Sequence, residues 1–143
     1  MTLIRSFPPL ENPDARVLIL GSMPGIASLR AGQYYAHPQN AFWPIMSELV
    51  GADPALPYEV RAAKLKAAGI ALWDVLASCT RPGSLDADID KTTIVANDFG
   101  SFFAKHPHIP AVFFNGGMAE QSFRRHVAPL LNLSHSFQRL PST

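Results

Sequence analysis

The chain has 143 residues, 48% of them hydrophobic and 16% charged, with one cysteine and a formal net charge of +1 at pH 7. A chain of this length can bury about 68–70% of its unfolded surface without staples, so one globular domain, residues 1–143, is expected rather than a disordered segment. The single cysteine, Cys79, excludes an internal disulfide framework and any four-cysteine zinc or iron–sulfur site supplied by this chain alone; no metal and no cofactor are expected.

From the N-terminus, Met1-Thr-Leu-Ile-Arg5 lacks the apolar run of a signal peptide. No stretch approaches the roughly 20 apolar residues of a membrane span, so a cytoplasmic protein with no membrane partner is expected. Arg16-Val-Leu-Ile-Leu-Gly21 is apolar throughout, as a parallel strand covered on both faces should be. Tyr34 to Trp43 reads as a loop leading into a helix. Tyr58 to Ala68 is rich in Ala, Lys and Leu and ends at Gly69, a natural residue to follow a helix. Ile70-Ala-Leu-Trp-Asp-Val75 is the second strand. Asn97 is placed to cap a helix through Lys105 that stops at Pro107, and His106-Pro-His108 reads as a surface turn. Ala111-Val-Phe-Phe-Asn115 is a third strand, Gly117 to Val127 a further helix, and Ser134 to Leu140 a fourth, less regular strand. Strands alternating with helices predict an α/β fold: a three-layer α/β/α sandwich about a central, mainly parallel four-stranded sheet.

In such sheets the ligand lies beyond the carboxyl ends of the strands. The segments predicted to converge there are Gly21–Gly25, Asp74 onward, Asn115-Gly-Gly117 and Pro141-Ser-Thr143. Gly21-Ser22-Met23-Pro24-Gly25 is neither a G-x-G-x-x-G fingerprint nor a Walker loop, so neither a dinucleotide nor a triphosphate is expected. Its turn can offer backbone N–H groups to an anionic or carbonyl oxygen, although such a Gly- and Pro-containing turn, taken alone, more often serves only to reverse the chain. The segment Tyr34 to Trp43 holds four aromatics, a histidine and two amides. Aromatic faces stack on extruded bases, and amides read base edges or hold a water. Trp43 is assigned to the core of the following helix, while Asn40 and Phe42 are assigned to the site. For Asp74 and Asn115, ligand reading and ordinary turn chemistry both remain open.

Gly21-Ser-Met-Pro-Gly25 followed by Tyr35-Ala-His-Pro-Gln-Asn-Ala-Phe-Trp43 resembles the uracil-DNA glycosylase superfamily and, within it, the hypoxanthine-DNA glycosylases. The likeness runs from about Arg16 to the C-terminus. The mismatch-specific uracil-DNA glycosylases are similar, with Gly-Ile-Asn-Pro-Gly at the first motif. Their asparagine there orients the attacking water, which Met23 cannot do. The resemblance implies a monofunctional hydrolase that removes a flipped, deaminated base from DNA, hypoxanthine first, with Asn40 as the catalytic residue. It also places Gly21, Ser22, Met23, Pro24, Gly25, Tyr35, His37, Phe42, Asp74 and Asn115 around the base. The strand of Asp74 is similar to the one whose asparagine reads uracil in the classical enzymes; an ionised carboxylate could accept from the N1–H of hypoxanthine while a backbone N–H serves O6.

Leu140-Pro-Ser-Thr143 resembles the start of the loop that wedges into the minor groove as the base flips. In the family the chain continues past this point, so a missing C-terminal segment or a shortened loop is expected. Arg139, Pro141 and Ser142 are the implied DNA contacts, with Arg124 and Arg125 either further phosphate contacts or solvated helix charges. Charge is uneven: residues 1–98 carry 8 Lys/Arg against 10 Asp/Glu, and residues 99–143 carry 4 against 1, which suits an anionic partner such as DNA. A monomer is expected. The rival readings are a uracil or thymine mismatch glycosylase, a non-catalytic DNA- or nucleotide-binding module, and a small-molecule nucleoside hydrolase or deoxyribosyltransferase.

Overall fold

A computed structural model describes residues 2–143. Its strands are β1 (Leu3–Arg5), β2 (Val17–Gly21), β3 (Ile70–Asp74), β4 (Leu76–Thr80), β5 (Asp90–Ala96), β6 (Ala111–Asn115) and β7 (Ser136–Leu140). Its α-helices are α1 (Ile26–Ala31), α2 (Phe42–Val50), α3 (Tyr58–Ala67), α4 (Phe99–Lys105) and α5 (Gly117–His126). Four parallel strands form the central sheet in the order β3-β2-β6-β7.

Side chains alternate across a strand, and the two faces of this sheet have separate cores. Leu18 and Leu20 of β2 join Ala71, Trp73, Val112 and Phe114 beneath Phe99, Phe102 and Phe123 of α4 and α5. Ile19 and Leu72 point the other way, into Phe42, Trp43, Met46 and Leu65 of α2 and α3. The result is the three-layer α/β/α sandwich. Phe123 lies 5.3 Å from Phe99, 5.3 Å from Phe114 and 5.4 Å from Phe137 between ring centroids; truncating an aromatic so enclosed costs about 3–5 kcal/mol. Cys79 is a buried free thiol in the same core. No helix among the described residues is long and apolar enough to cross a membrane.

A second, antiparallel sheet in the order β1-β4-β5 is absent from the sequence reading. Its third strand, Asp-Lys-Thr-Thr-Ile-Val-Ala, is half polar and only partly buried, so it carries no apolar run to reveal it. The chain leaves the parallel sheet at Asp74 and enters the antiparallel one at Leu76. Helix α4 is capped by Asp98, whose side chain accepts from the Ser101 N–H, and not by Asn97. Asn97 instead donates to the carbonyls of Asp74 (2.7 Å) and Leu76 (3.3 Å), tying the two sheets together. His106 is 2% exposed, so the expected surface turn is wrong at that residue: its imidazole meets the Glu11 carboxylate at 3.1 Å, where Lys105 also lands.

Candidate active site

A cavity of about 340 Å³ opens beyond the carboxyl ends of the parallel strands, lined by the stretch Gly21–Ser28, by Tyr34, Tyr35, His37 and Asn40, by Asp74, Ser84, Asp86 and Asn115, and by Ser142 and Thr143. Sheet register assembles it: Gly21 lies opposite Asp74, and Asn115 opposite Leu140.

The Gly21–Gly25 turn can offer a ligand donors but few acceptors. Its Gly21 and Ser22 carbonyls accept from the N–H groups of Val75 and Leu76, Pro24 O accepts from Arg81, and Gly25 O accepts from Leu29 N. Gly21 is required by contact: a Cβ there would lie 2.5 Å from Asp74 Oδ1 and 2.9 Å from the Tyr35 hydroxyl. The Asp74 side chain is 4% exposed, and its Oδ2 is enclosed without a hydrogen-bond partner. Burial, then the nearby charge of Asp86, push its carboxyl up to about 7 against the opposing pull of Arg81. The Tyr35 hydroxyl is likewise enclosed and makes no hydrogen bond of good geometry; burial and the Asp74 charge raise it above its ordinary range against a weaker pull from the neighbouring Asn115 side chain. At φ 53°, Tyr35 is the only non-glycine residue with positive φ among those described, a conformation that costs about 1–3 kcal/mol and clusters at functional sites.

Asn40 begins α2. Its Oδ1 accepts from the Phe42 N–H at 2.9 Å, a bond that fixes which amide atom is oxygen and leaves that oxygen one further lone pair. His37 Nδ1 accepts from Gln39 N at 3.1 Å, so the neutral ring carries its proton on Nε2 at the exposed rim. Asn115 stands at the cleft with its amide engaged: Nδ2 donates to Thr143 Oγ1 and Oδ1 accepts from Thr143 N, both at 3.0 Å. Thr143 O in turn accepts from Ala41 N at 3.1 Å, linking this segment to the Asn40 loop.

A family model described as the uracil DNA glycosylase superfamily matches residues 8–141. The chain belongs to the uracil DNA glycosylase superfamily. It is 38% identical over 113 residues to a protein of Methanosarcina barkeri named hypoxanthine DNA glycosylase, covering 78% of this chain and 70% of that one. It is 34% identical over 141 residues to a protein of the same name from Methanosarcina acetivorans, covering 97% and 85%. A solution NMR structure of a candidate uracil DNA glycosylase from Methanosarcina acetivorans superposes with a TM-score of 0.80 at 31% identity, covering 99% of this chain and 84% of that one.

Within this glycosylase fold, the expected neighbours of a base do not all reach the cavity. Phe42 is 1% exposed and lies behind Tyr35, stacked at 4.3 Å, so it supports the cavity wall without lining it. Phe42 is the first residue of α2, its N–H held by Asn40 Oδ1, and it packs in the core cluster with Trp43, Met46 and Leu65. Trp43 is core as expected, donating from Nε1 to Tyr34 O. Met23 lines the cavity while packing in the apolar core. Ser142 lines the cavity, whereas Pro141 and Arg139 are exposed outside it, with Arg139 3.9 Å from Glu120.

Sequence reasoning missed the loop that follows β4 of the glycosylase fold. Arg81, its side chain wholly buried, donates to Pro24 O and Gly83 O and stands 3.5 Å from Asp86. Asp86 Oδ2 accepts from Ser22 Oγ, and Ser84 Oγ accepts from Ile26 N at 2.9 Å. These bonds hold the loop over the Gly21–Gly25 turn. Arg81-Pro-Gly-Ser84 looks like an exposed turn in sequence, and its only signal was proximity to a predicted strand end. Among the described residues, no group of three or more His, Cys, Asp or Glu could hold a metal ion.

Proposed function

We propose that this glycosylase hydrolyses the N-glycosidic bond of deoxyinosine in DNA, releasing hypoxanthine and leaving an abasic site. The observation that carries the reading is that the buried Asp74 carboxyl lines one cavity with the N–H-presenting Gly21–Gly25 turn and Asn40. Hypoxanthine sets an N1–H donor beside an O6 acceptor, the complement of a carboxylate beside backbone N–H groups. Adenine and cytosine have no ring N–H at that place. Uracil shares the donor–acceptor pair; the names of the two Methanosarcina relatives and the presence of Met23, which cannot hold a water, favour the purine.

Flipping the nucleotide costs a few kcal/mol, less for a mispaired base. The base then lies against the Tyr35 ring, with its edge toward Asp74 and the turn. The C1′–N9 bond breaks with its electrons passing to the purine, which takes up a proton. The remaining lone pair of Asn40 Oδ1 accepts from a water whose oxygen adds to the oxocarbenium-like C1′, its other proton leaving to solvent. Asn40 contributes orientation and electrostatic support, not strong basicity. No lysine is among the residues lining the cavity, which supports hydrolysis without strand cleavage. The protein acts as a monomer on DNA in the cytoplasm.

Single-turnover base release from duplexes containing deoxyinosine or deoxyuridine tests this. Hypoxanthine is expected to leave faster than uracil, and Asn40→Ala to slow its release on the order of 10²-fold or more while duplex binding survives. Faster uracil release refutes the substrate; a fully active Asn40→Ala refutes the residue.

A further inference from the structure

A second cleft, of about 290 Å³, lies between β5 and α5 beside the base cavity; Asp86 lines both. Ile89, Ile94 and Met118 give it an apolar wall, and Lys91, Arg125 and His126 also line it. Lys91 and Arg125 are exposed, and among the described residues neither forms an ion pair. The sequence offered Arg139 as a DNA contact and Arg124 and Arg125 as either phosphate contacts or solvated helix charges, and the structure separates the three. Arg124 and Arg139 both reach Glu120, at 3.4 and 3.9 Å, so their charge is partly spent. The acid in the cleft, Asp86, is already engaged by Arg81 and by Ser22 Oγ. Burial, then the adjacent Arg125 charge, hold the His126 imidazole below its ordinary value, so His126 adds little positive charge to the cleft.

Two unpaired cations over an apolar wall match a sugar–phosphate segment: the phosphates meet the cations and the deoxyribose lies on the apolar surface. Asp86 lines both clefts, so such a segment would lie beside the flipped nucleotide. We infer that the β5–α5 cleft is a track for the DNA backbone flanking the extruded base, held by Lys91 and Arg125. This rests on the glycosylase reading for the identity of the polymer.

The test is the salt dependence of binding to a duplex carrying an uncleavable tetrahydrofuran abasic analogue, for the wild type, Lys91→Ala and Arg125→Ala, with Arg124→Ala and Arg139→Ala for comparison. Each lost phosphate contact should reduce the slope of log K against log[salt] by about 0.9. That reduction is expected for Lys91→Ala and Arg125→Ala, with unchanged base release at saturating enzyme and unchanged thermal unfolding. The comparison variants should keep the wild-type slope. The inference is overturned if either Lys91→Ala or Arg125→Ala keeps that slope, or if Arg124→Ala and Arg139→Ala lose as much. A wild type that releases no base from deoxyinosine duplexes would sink the glycosylase reading, while the slope comparison would still decide the track.

Discussion

Replacing Asp74 with Asn probes stability and chemistry through one atom. The folded-state carboxyl stands at about 7 against an ordinary 3.8, principally through burial. The folded protein therefore keeps a proton between about pH 4 and pH 7 that the unfolded chain has released, and stability falls as pH rises through that window. At 1.36 kcal/mol per pKa unit, the full span amounts to about 4 kcal/mol. Asparagine never ionises, so the unfolding free energy of Asp74→Asn minus that of the wild type should climb by about this much between pH 4 and 7 and then level off. Urea denaturation at pH 4.5, 5.5, 6.5 and 7.5 measures it. Base release should respond in the opposite sense, because the ionised carboxylate accepts from N1–H: wild-type release rises as pH passes about 7, whereas the variant shows no such limb. Exchanging a charge-assisted for a neutral hydrogen bond, about 1 kcal/mol, should leave the variant roughly fivefold slower at pH 8. A stability difference constant with pH would refute the burial argument. Wild-type release that falls as pH rises would mean that the neutral acid, donating a proton, reads the base.

Arg81→Met strips the ionic partner from the partly buried Asp86 and the donors from the Pro24 and Gly83 carbonyls; leaving those groups unpartnered should cost about 1–3 kcal/mol by urea denaturation. The Arg81 charge also holds Asp74 down, so the rising limb of base release should move to higher pH; an unmoved midpoint would make Arg81 purely structural. Tyr35→Phe deletes an enclosed hydroxyl with no partner and should stabilise by about 1 kcal/mol while keeping base release within about threefold. Tyr35→Ala removes a stacking face worth about 1–3 kcal/mol per base, so release should fall roughly tenfold. Equal losses in the two variants would show that the hydroxyl, not the ring, meets the base.

The parallel sheet was legible because β2 and β6 are continuous apolar runs, and such runs bury both faces. Once those strands are placed, topology alone puts Asp74 and Asn115 at their carboxyl ends, before any side-chain contact is known. The antiparallel sheet was not legible: β1 has three residues, and β5 alternates weakly and shows much of its length to solvent. Arg81 was hidden for a different reason. Its carbonyl partner at Pro24 lies 57 residues away, and no local pattern distinguishes a buried guanidinium from one ahead of an exposed Pro-Gly turn. Phe42 shows the limit of composition, since an aromatic-rich loop does not say which ring faces the ligand. In the structure Tyr35 lines the cavity and Phe42 lies behind it, an outcome of the Asn40–Phe42 bond and the left-handed backbone at Tyr35, and neither is a property of residue type alone.

The handover from β3 to β4 explains why the site needs both sheets. Asp74 is the last residue of the parallel strand, and from Leu76 the same chain belongs to the antiparallel sheet. Asn97, just beyond β5, donates to the carbonyls on either side of the junction, so the path of Asp74 is fixed from the sheet the sequence did not reveal. That sheet also carries the Arg81 loop over the Gly21–Gly25 turn and one wall of the cleft beside it. An ion pair with one member buried and the other partly exposed, as Arg81 and Asp86 are, is weak as a source of stability, because desolvation offsets most of its attraction. Its place here follows from geometry: Arg81 turns the Pro24 carbonyl away from the cavity while opposing the upward pull of burial on Asp74. One guanidinium thus engages the Pro24 carbonyl of the turn and, on the proposed reading, sets the pH range in which Asp74 can accept from the base.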